Sequence, residues 1–222
     1  MLAKKVNIDI RREYAISIEQ SSLHKRIKEV KLYIYFKSIL DIIVAIVGLF
    51  LCLPALLFFI IAIKLETPGP AFFYQQRVGM NGKTFNVIKL RSMCVEAEKN
   101  GAQWAKKNDP RVTKVGTFIR KTRIDEIPQL INVLRGEMSI IGPRPERPMF
   151  TAQFNEEFPG FTNRLLVKPG LTGWAQVNGG YDITPREKLN LDLYYIRELS
   201  LMLELKIIFM TMKVVLTGEG AR

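Results

Sequence analysis

From Ile42 to Ile63 the chain runs 22 residues without a charge, bounded by Asp41 and Lys64. At 1.5 Å per residue such a run makes roughly 33 Å of helix, enough to cross the hydrocarbon core of a bilayer. It lies too far from the N-terminus to be a cleavable leader, and no small-residue cleavage site follows it. Pro54 falls near its midpoint, where a proline removes one helical hydrogen bond and predicts a kink or break. Both flanks are basic: Lys25, Arg26, Lys28, Lys31 and Lys37 precede the run, and Lys64, Arg77, Lys83, Lys89 and Arg91 follow it. Positive flanks stay on the cytoplasmic face, so a straight span would force one of them across. A re-entrant helix that enters, turns at Pro54 and leaves on the same side satisfies both, and is preferred to a kinked single span.

The charge balance agrees with a membrane-surface protein. A formal net charge of +12 on 222 residues favours anionic lipid headgroups, phosphates or nucleic acid. Leu23, Ile27, Val30 and Ile34 recur on one helical face among the upstream lysines, which predicts a basic amphipathic helix seated at the interface. The apolar stretch from Leu199 to Leu216, with Lys206 and Lys213 a heptad apart, fits either a core helix or a second interfacial one. Cys52 and Cys94 show neither disulfide nor metal-type spacing, and the single His24 excludes a histidine triad or a histidine-ligated zinc.

These features divide the chain into an N-terminal arm (1–37), the membrane element (38–63), a globular portion (64–198) and an apolar tail (199–222). The globular portion opens on the turn-rich Glu66–Pro70. Phe72–Gln76 and Thr84–Lys89 then flank Asn81-Gly82, a hairpin signal. The glycine-rich stretch VKPGLTGWAQVNGGY (Val167–Tyr181) reads as a long loop lying over a ligand.

Chemistry concentrates between Arg120 and Pro145, RKTRIDEIPQLINVLRGEMSIIGPRP, where Asp125 and Glu126 sit among Arg120, Lys121, Arg123, Arg135 and Arg144. So many cations suit an anionic, phosphorylated substrate. Pro128 followed by Ile127/Leu130/Ile131/Leu134 spacing predicts a helix start, with Asp125 or Thr122 as its N-cap and phosphate docking at the free N–H groups. A plain capped helix with a solvated basic face fits this stretch equally well.

In addition to the proline-broken helix, the chain carries KLRSM (Lys89–Met93), DPRVTKVGTFIRKTRIDEIPQ (Asp109–Gln129), IGPRP (Ile141–Pro145), KPGLTGWAQVNG (Lys168–Gly179) and LDLYY (Leu191–Tyr195). In this order the blocks resemble the bacterial sugar transferases of the monotopic phosphoglycosyl transferase family, in their compact catalytic-core form, over about Phe36–Arg222. The resemblance implies transfer of a sugar 1-phosphate from a UDP-sugar to undecaprenyl phosphate, with release of UMP, at the cytoplasmic face of the bacterial inner membrane. It implies an α+β, mainly helical fold: a re-entrant membrane helix plus a cytoplasmic domain with a small β-hairpin and interfacial helices. Asp125 matches the family nucleophile, which forms an aspartyl phosphosugar. Glu126 matches its partner, a base for the second step or, with Asp125, a holder of Mg²⁺. Lys89, Arg91, Arg120 and the Pro143–Arg144–Pro145 turn match phosphate- and nucleotide-binding positions, and Asp192 an acidic family position.

One departure stands out. Many members carry arginine where this chain has Gly180, and Arg147 is the candidate substitute. Anionic lipids are expected partners, and self-association is left open. Nucleic acid is not an expected partner, because it would leave the membrane element and the acidic pair without a purpose. A non-catalytic scaffold of polysaccharide assembly and a UDP-sugar hydrolase are the rival readings.

Overall fold

The computed structural model describes residues 2–99, 101, 109–179 and 183–217. Two helices lead the chain, α1 (Leu2–Glu29) and α2 (Lys31–Glu66). Among the described residues α2 is the one helix long and apolar enough to cross a membrane. It starts seven residues ahead of the boundary drawn from charge, and it does not end at Pro54. Its buried positions Asp41, Ala45, Leu56 and Ile63 make a narrow stripe, while Phe50, Leu51, Leu57, Phe58 and Ile61 stand exposed on other faces.

The stripe packs at both ends on one domain. Ala45 joins Val87, Leu130, Val133 and Met138 in one apolar cluster; Leu56 and Ile63 join Ala71, Leu90 and Ile119 in another. A Cβ at Gly48 would lie 3.1 Å from the Leu130 side chain, so a glycine lets α2 approach closely there. Asp41 is satisfied despite its apolar surroundings: Ser139 Oγ (2.8 Å) and the Ile140 N–H (3.2 Å) donate to its carboxylate, and Lys37 lies 3.4 Å away.

After α2 come β1 (Phe72–Val78) and β2 (Thr84–Leu90), antiparallel from Phe72↔Leu90 to Val78↔Thr84. The expected hairpin is present. Asn81 (φ 56°) and Gly82 (φ 77°) take the left-handed conformations their chemistry favours, inside a five-residue connection closed by Gly79 N–H to Lys83 O at 2.8 Å. Next follow α3 (Lys114–Lys121), α4 (Gln129–Leu134), β3 (Ser139–Ile141), α5 (Pro148–Glu157), β4 (Gly170–Thr172), α6 (Trp174–Gly179), α7 (Pro185–Arg197) and α8 (Leu201–Thr217). β4 pairs in parallel with β3.

Two expectations change. Val167–Tyr181 is not a long loop: it folds into β4 and α6, with Gly180 and Tyr181 outside the described residues, although Ala175 and Gln176 of α6 do line the pocket described below. Its glycines serve close backbone packing, since a Cβ at Gly170 would sit 2.1 Å from Gly142 N and one at Gly173 2.1 Å from Gly142 O. The apolar stripe, which runs from α1 through Val30 onto Ile34 of α2, faces protein rather than lipid. Leu23 is wholly buried in the main core with Phe154, Phe161, Leu193 and Ile196, and Ile27, Val30 and Ile34 pack on the same cluster. Arg26 adds hydrogen bonds to the Arg197 and Leu199 carbonyls at the end of α7 (2.9 and 3.1 Å), where a cation is favoured. A stripe of this spacing fits a protein groove as well as an interface, and here a groove was available. Replacing Leu23 with Ala should therefore lower unfolding free energy by about 2–5 kcal/mol in detergent solution. An interfacial leucine would instead change membrane association and leave the melting curve in place.

α8 packs on the core along one face and leaves apolar side chains exposed on the others. Leu203 and Ile207 face the core, while Leu201, Met202, Leu205, Ile208, Phe209 and Met212 remain exposed.

Candidate active site

Arg123 shapes the site. Its left-handed backbone (φ 57°) follows the last turn of α3, and Ile124–Glu126 then form a single 3₁₀ turn. Neither Asp125 nor Thr122 caps α4, which begins after Pro128 with no side-chain cap; the Thr122 hydroxyl donates to Phe118 O (2.8 Å) within α3 instead. The expected capped start fails because the chain reverses at Arg123, a conformation that sequence periodicity does not announce. The reversal places both carboxylates on the wall of a pocket of about 440 Å³.

Among the described residues nine cationic side chains line this pocket against four carboxylates, so its balance favours an anionic ligand. Glu126 is clamped from two elements: Lys89 of β2 donates to Oε1 at 2.7 Å, and Arg144 donates to Oε1 at 2.5 Å and Oε2 at 3.5 Å. Burial pushes the Glu126 carboxyl up, but Arg144 and Lys89 together outweigh it and hold the group well below the usual carboxylate range. Asp125, 7% exposed, is different. Burial raises it to about 6; Lys89 opposes that rise and the Glu126 charge adds to it. Adjacent carboxylates thus end with separated acidities: the paired Glu126 is held toward its ionised form, and the buried Asp125 is raised to about 6.

The motif residues divide on inspection. Lys89, Arg120, Arg144 and Pro145 line the pocket with the acidic pair, whereas Pro143 lies outside its lining. Arg91 reaches the same pocket but spends its guanidinium on the turn after α2, donating to Pro68 O (2.6 Å), Thr67 O (2.8 Å) and Thr67 Oγ1 (3.0 Å). It braces the exit of the apolar helix. Arg147 pairs with Glu98 at the pocket wall. Asp192 is buried against Arg164, 2.6 Å away, and does not face the pocket.

Residues 32–218 match the profile of a family described as bacterial sugar transferase. The chain belongs to this family. It is 48% identical to the UDP-N-acetylgalactosamine-undecaprenyl-phosphate N-acetylgalactosaminephosphotransferase of Aeromonas hydrophila, over 86% of this chain and 46% of that protein. It is 46% identical to the UDP-glucose:undecaprenyl-phosphate glucose-1-phosphate transferase of Escherichia coli (strain K12), over 77% of this chain and 38% of the relative. A protein of the same description from Caulobacter vibrioides is 42% identical over 83% of this chain and 71% of its own length. The chain thus spans less than half of the first two.

The pocket of this family member also has lining residues that the sequence motifs did not single out. Glu146, directly after Pro145, pairs with Lys188 of α7 and lies 3.7 Å from Arg77 of β1, and all three line the pocket. Burial pulls the Arg77 guanidinium down to about 10, with Glu146 opposing and Arg144 and Arg147 adding to the fall. Its position on a hairpin strand was legible; its crowding with two other arginines required the long-range fold.

Proposed function

We propose that the protein is a phosphoglycosyl transferase that moves a sugar 1-phosphate from a UDP-sugar to undecaprenyl phosphate. The observation that carries this reading is the buried Asp125 carboxyl beside the Lys89–Glu126–Arg144 clamp, in a cation-lined pocket on a domain fastened to an apolar helix. The Asp125 carboxylate attacks the β-phosphorus of the donor; the phosphoanhydride bond breaks, and its electron pair leaves on UMP. An oxygen of the lipid phosphate then attacks the aspartyl phosphosugar, the new phosphoanhydride forms, and Asp125 is released as carboxylate. Splitting one displacement into two in this way is the use of a covalent nucleophile. Lys89, Arg120 and Arg144 bind and orient the phosphate oxygens, meeting charge where it develops.

Magnesium belongs to the same proposal. Two adjacent carboxylates, once the donor's diphosphate offsets the surrounding cations, suit an ion that takes few protein ligands and completes its shell with phosphate and water. Asp125 and Glu126 would hold it, and when bound it supplies positive charge to the diphosphate. Chelation should stop UMP release and added Mg²⁺ should restore it.

The re-entrant, cytoplasmic-face placement is the topology we favour. Thirty-six residues make about 54 Å of helix, so a span would carry one half of α2 away from the domain. Yet Ala45 and Ile63, from opposite halves, pack on that same domain. Cys94, which is exposed, and a cysteine introduced by Ser22→Cys should both resist a membrane-impermeant maleimide in intact cells and react after lysis, with Cys52 replaced by Ala. Labelling of the Ser22→Cys site alone from outside would replace re-entry by a span.

The test of activity is incubation with radiolabelled UDP-sugars and undecaprenyl phosphate, beginning with UDP-N-acetylgalactosamine and UDP-glucose. UMP plus labelled lipid supports the transferase. UMP plus free sugar phosphate points to a hydrolase, and no turnover to a scaffold.

A further inference from the structure

The Gly142–Pro145 turn cannot hold itself. Pro143 and Pro145 have no N–H to donate, so the carbonyls around Arg144 depend on donors from elsewhere. Each finds one: Gly170 N–H to Pro143 O (3.0 Å), Arg164 Nη2 to Arg144 O (2.8 Å), Arg77 Nη1 to Pro145 O (3.1 Å) and Val78 N–H to Glu146 O (2.9 Å). The donor to Arg144 is the unusual member. Arg164 is 1% exposed, its guanidinium 5.0 Å from the centre of the Phe161 ring. Its charge is met by Asp192 of α7, equally buried, with Nε at 2.8 Å and Nη2 at 2.6 Å from the same carboxylate oxygen. A buried ion pair of this kind is poor value as a stabiliser, since apolar residues of similar volume do as well or better. What an apolar pair could not do is donate to the Arg144 carbonyl while Arg144 forks onto Glu126 at 2.5 and 3.5 Å.

We propose that Arg164 and Asp192 are positioning residues of the transfer reaction: Asp192 holds the Arg164 guanidinium, Arg164 fixes the Arg144 carbonyl, and Arg144 is thereby held on Glu126 beside Asp125. Neither lines the pocket, so neither touches substrate. Asp192 then acts 28 residues from Arg164 in sequence and through two intermediaries, rather than as an acid, base or ligand. The claim rests on the transferase reading for its kinetic arm and on geometry alone for its structural arm.

Single substitutions that strand either charge are expected to destabilise the fold, so the decisive variant replaces both, Arg164→Met with Asp192→Leu. It removes the pair at similar volume and deletes the donor to Arg144. The melting temperature should stay close to that of the parent, while kcat/KM for UMP release falls about 10²-fold, the scale of a small misplacement of a phosphate clamp. In an Arg144→Lys background the same two changes should cost less than about threefold, because residues that act through one another are not additive. A crystal structure of the double variant should show the Arg144 guanidinium displaced from Glu126. Arg164→Lys covers the case in which the double variant does not fold. It keeps a charge against Asp192, but one ammonium cannot reproduce the fork that serves both partners, and a loss of more than about tenfold is expected. Full activity in a folded double variant or in Arg164→Lys, equal losses in both backgrounds, or Arg144 still seated on Glu126 would each overturn the proposal. A parent protein without UMP release would refute the transferase reading instead, and the position of Arg144 would still decide this one.

Discussion

Asp125→Asn should reduce UMP release to the background of the assay, a loss of roughly 10⁶-fold on the scale of other covalent nucleophiles. The side chain keeps its shape and loses the attacking oxygen's charge. Stability should move the other way. The folded protein raises this carboxyl from 3.8 to about 6, so its ionised form opposes folding above about pH 4, and does so fully above about pH 6. Asparagine removes that opposition, and the melting temperature at pH 7 should hold or rise. Loss of all turnover with no loss of stability is the signature of a reacting group. A structural aspartate would lose both.

Glu126→Gln carries the second large effect. Its carboxylate is the shared anchor of Lys89 and Arg144, and the amide keeps the size while releasing both cations. Transfer to the lipid phosphate should slow by about 10²–10⁴. The clamp also argues against a general base here, since a carboxyl held so far below its ordinary range takes up a proton poorly. The pH dependence gives an independent reading. In the parent, kcat/KM for the donor should fall on the acid side as Asp125 takes up a proton, with the limb at or below about pH 6, because Mg²⁺ held there would favour the carboxylate. The Glu126 charge is one of the influences that raise Asp125, so neutralising it should move this acid limb to lower pH. A limb that stays in place would mean that Asp125 is not the titrating group.

Much of this architecture was legible locally. The uncharged run from Ile42 to Ile63, the Asn81-Gly82 hairpin and the convergence of Lys89, Arg144 and the acidic pair all follow from short-range pattern or motif, and the fold preserves them. What was illegible depended on partners distant in sequence. The Leu23–Ile34 stripe has the same period whether it meets lipid or the α7 groove, and only the fold chooses. The left-handed turn at Arg123 has no glycine to advertise it, so the acidic pair read as a helix cap. Asp192 read as a site residue from its motif, yet its partner Arg164 carries no sequence signal of its own. Glycines between Gly170 and Gly173 suggested a ligand loop because close strand packing and ligand contact ask for the same missing side chain.

A nucleophilic Asp125 becomes covalently loaded before the lipid arrives. Purified protein should be mixed with donor and Mg²⁺ in the absence of undecaprenyl phosphate, quenched, digested and analysed by mass spectrometry, with UMP counted in parallel. The expected result is a burst of UMP approaching one equivalent per protein and a sugar phosphate on the peptide containing Asp125, discharged when lipid phosphate is added. UMP that appears only once the lipid is present, or a label on any other residue, would contradict it and make the transfer a direct displacement between two bound substrates.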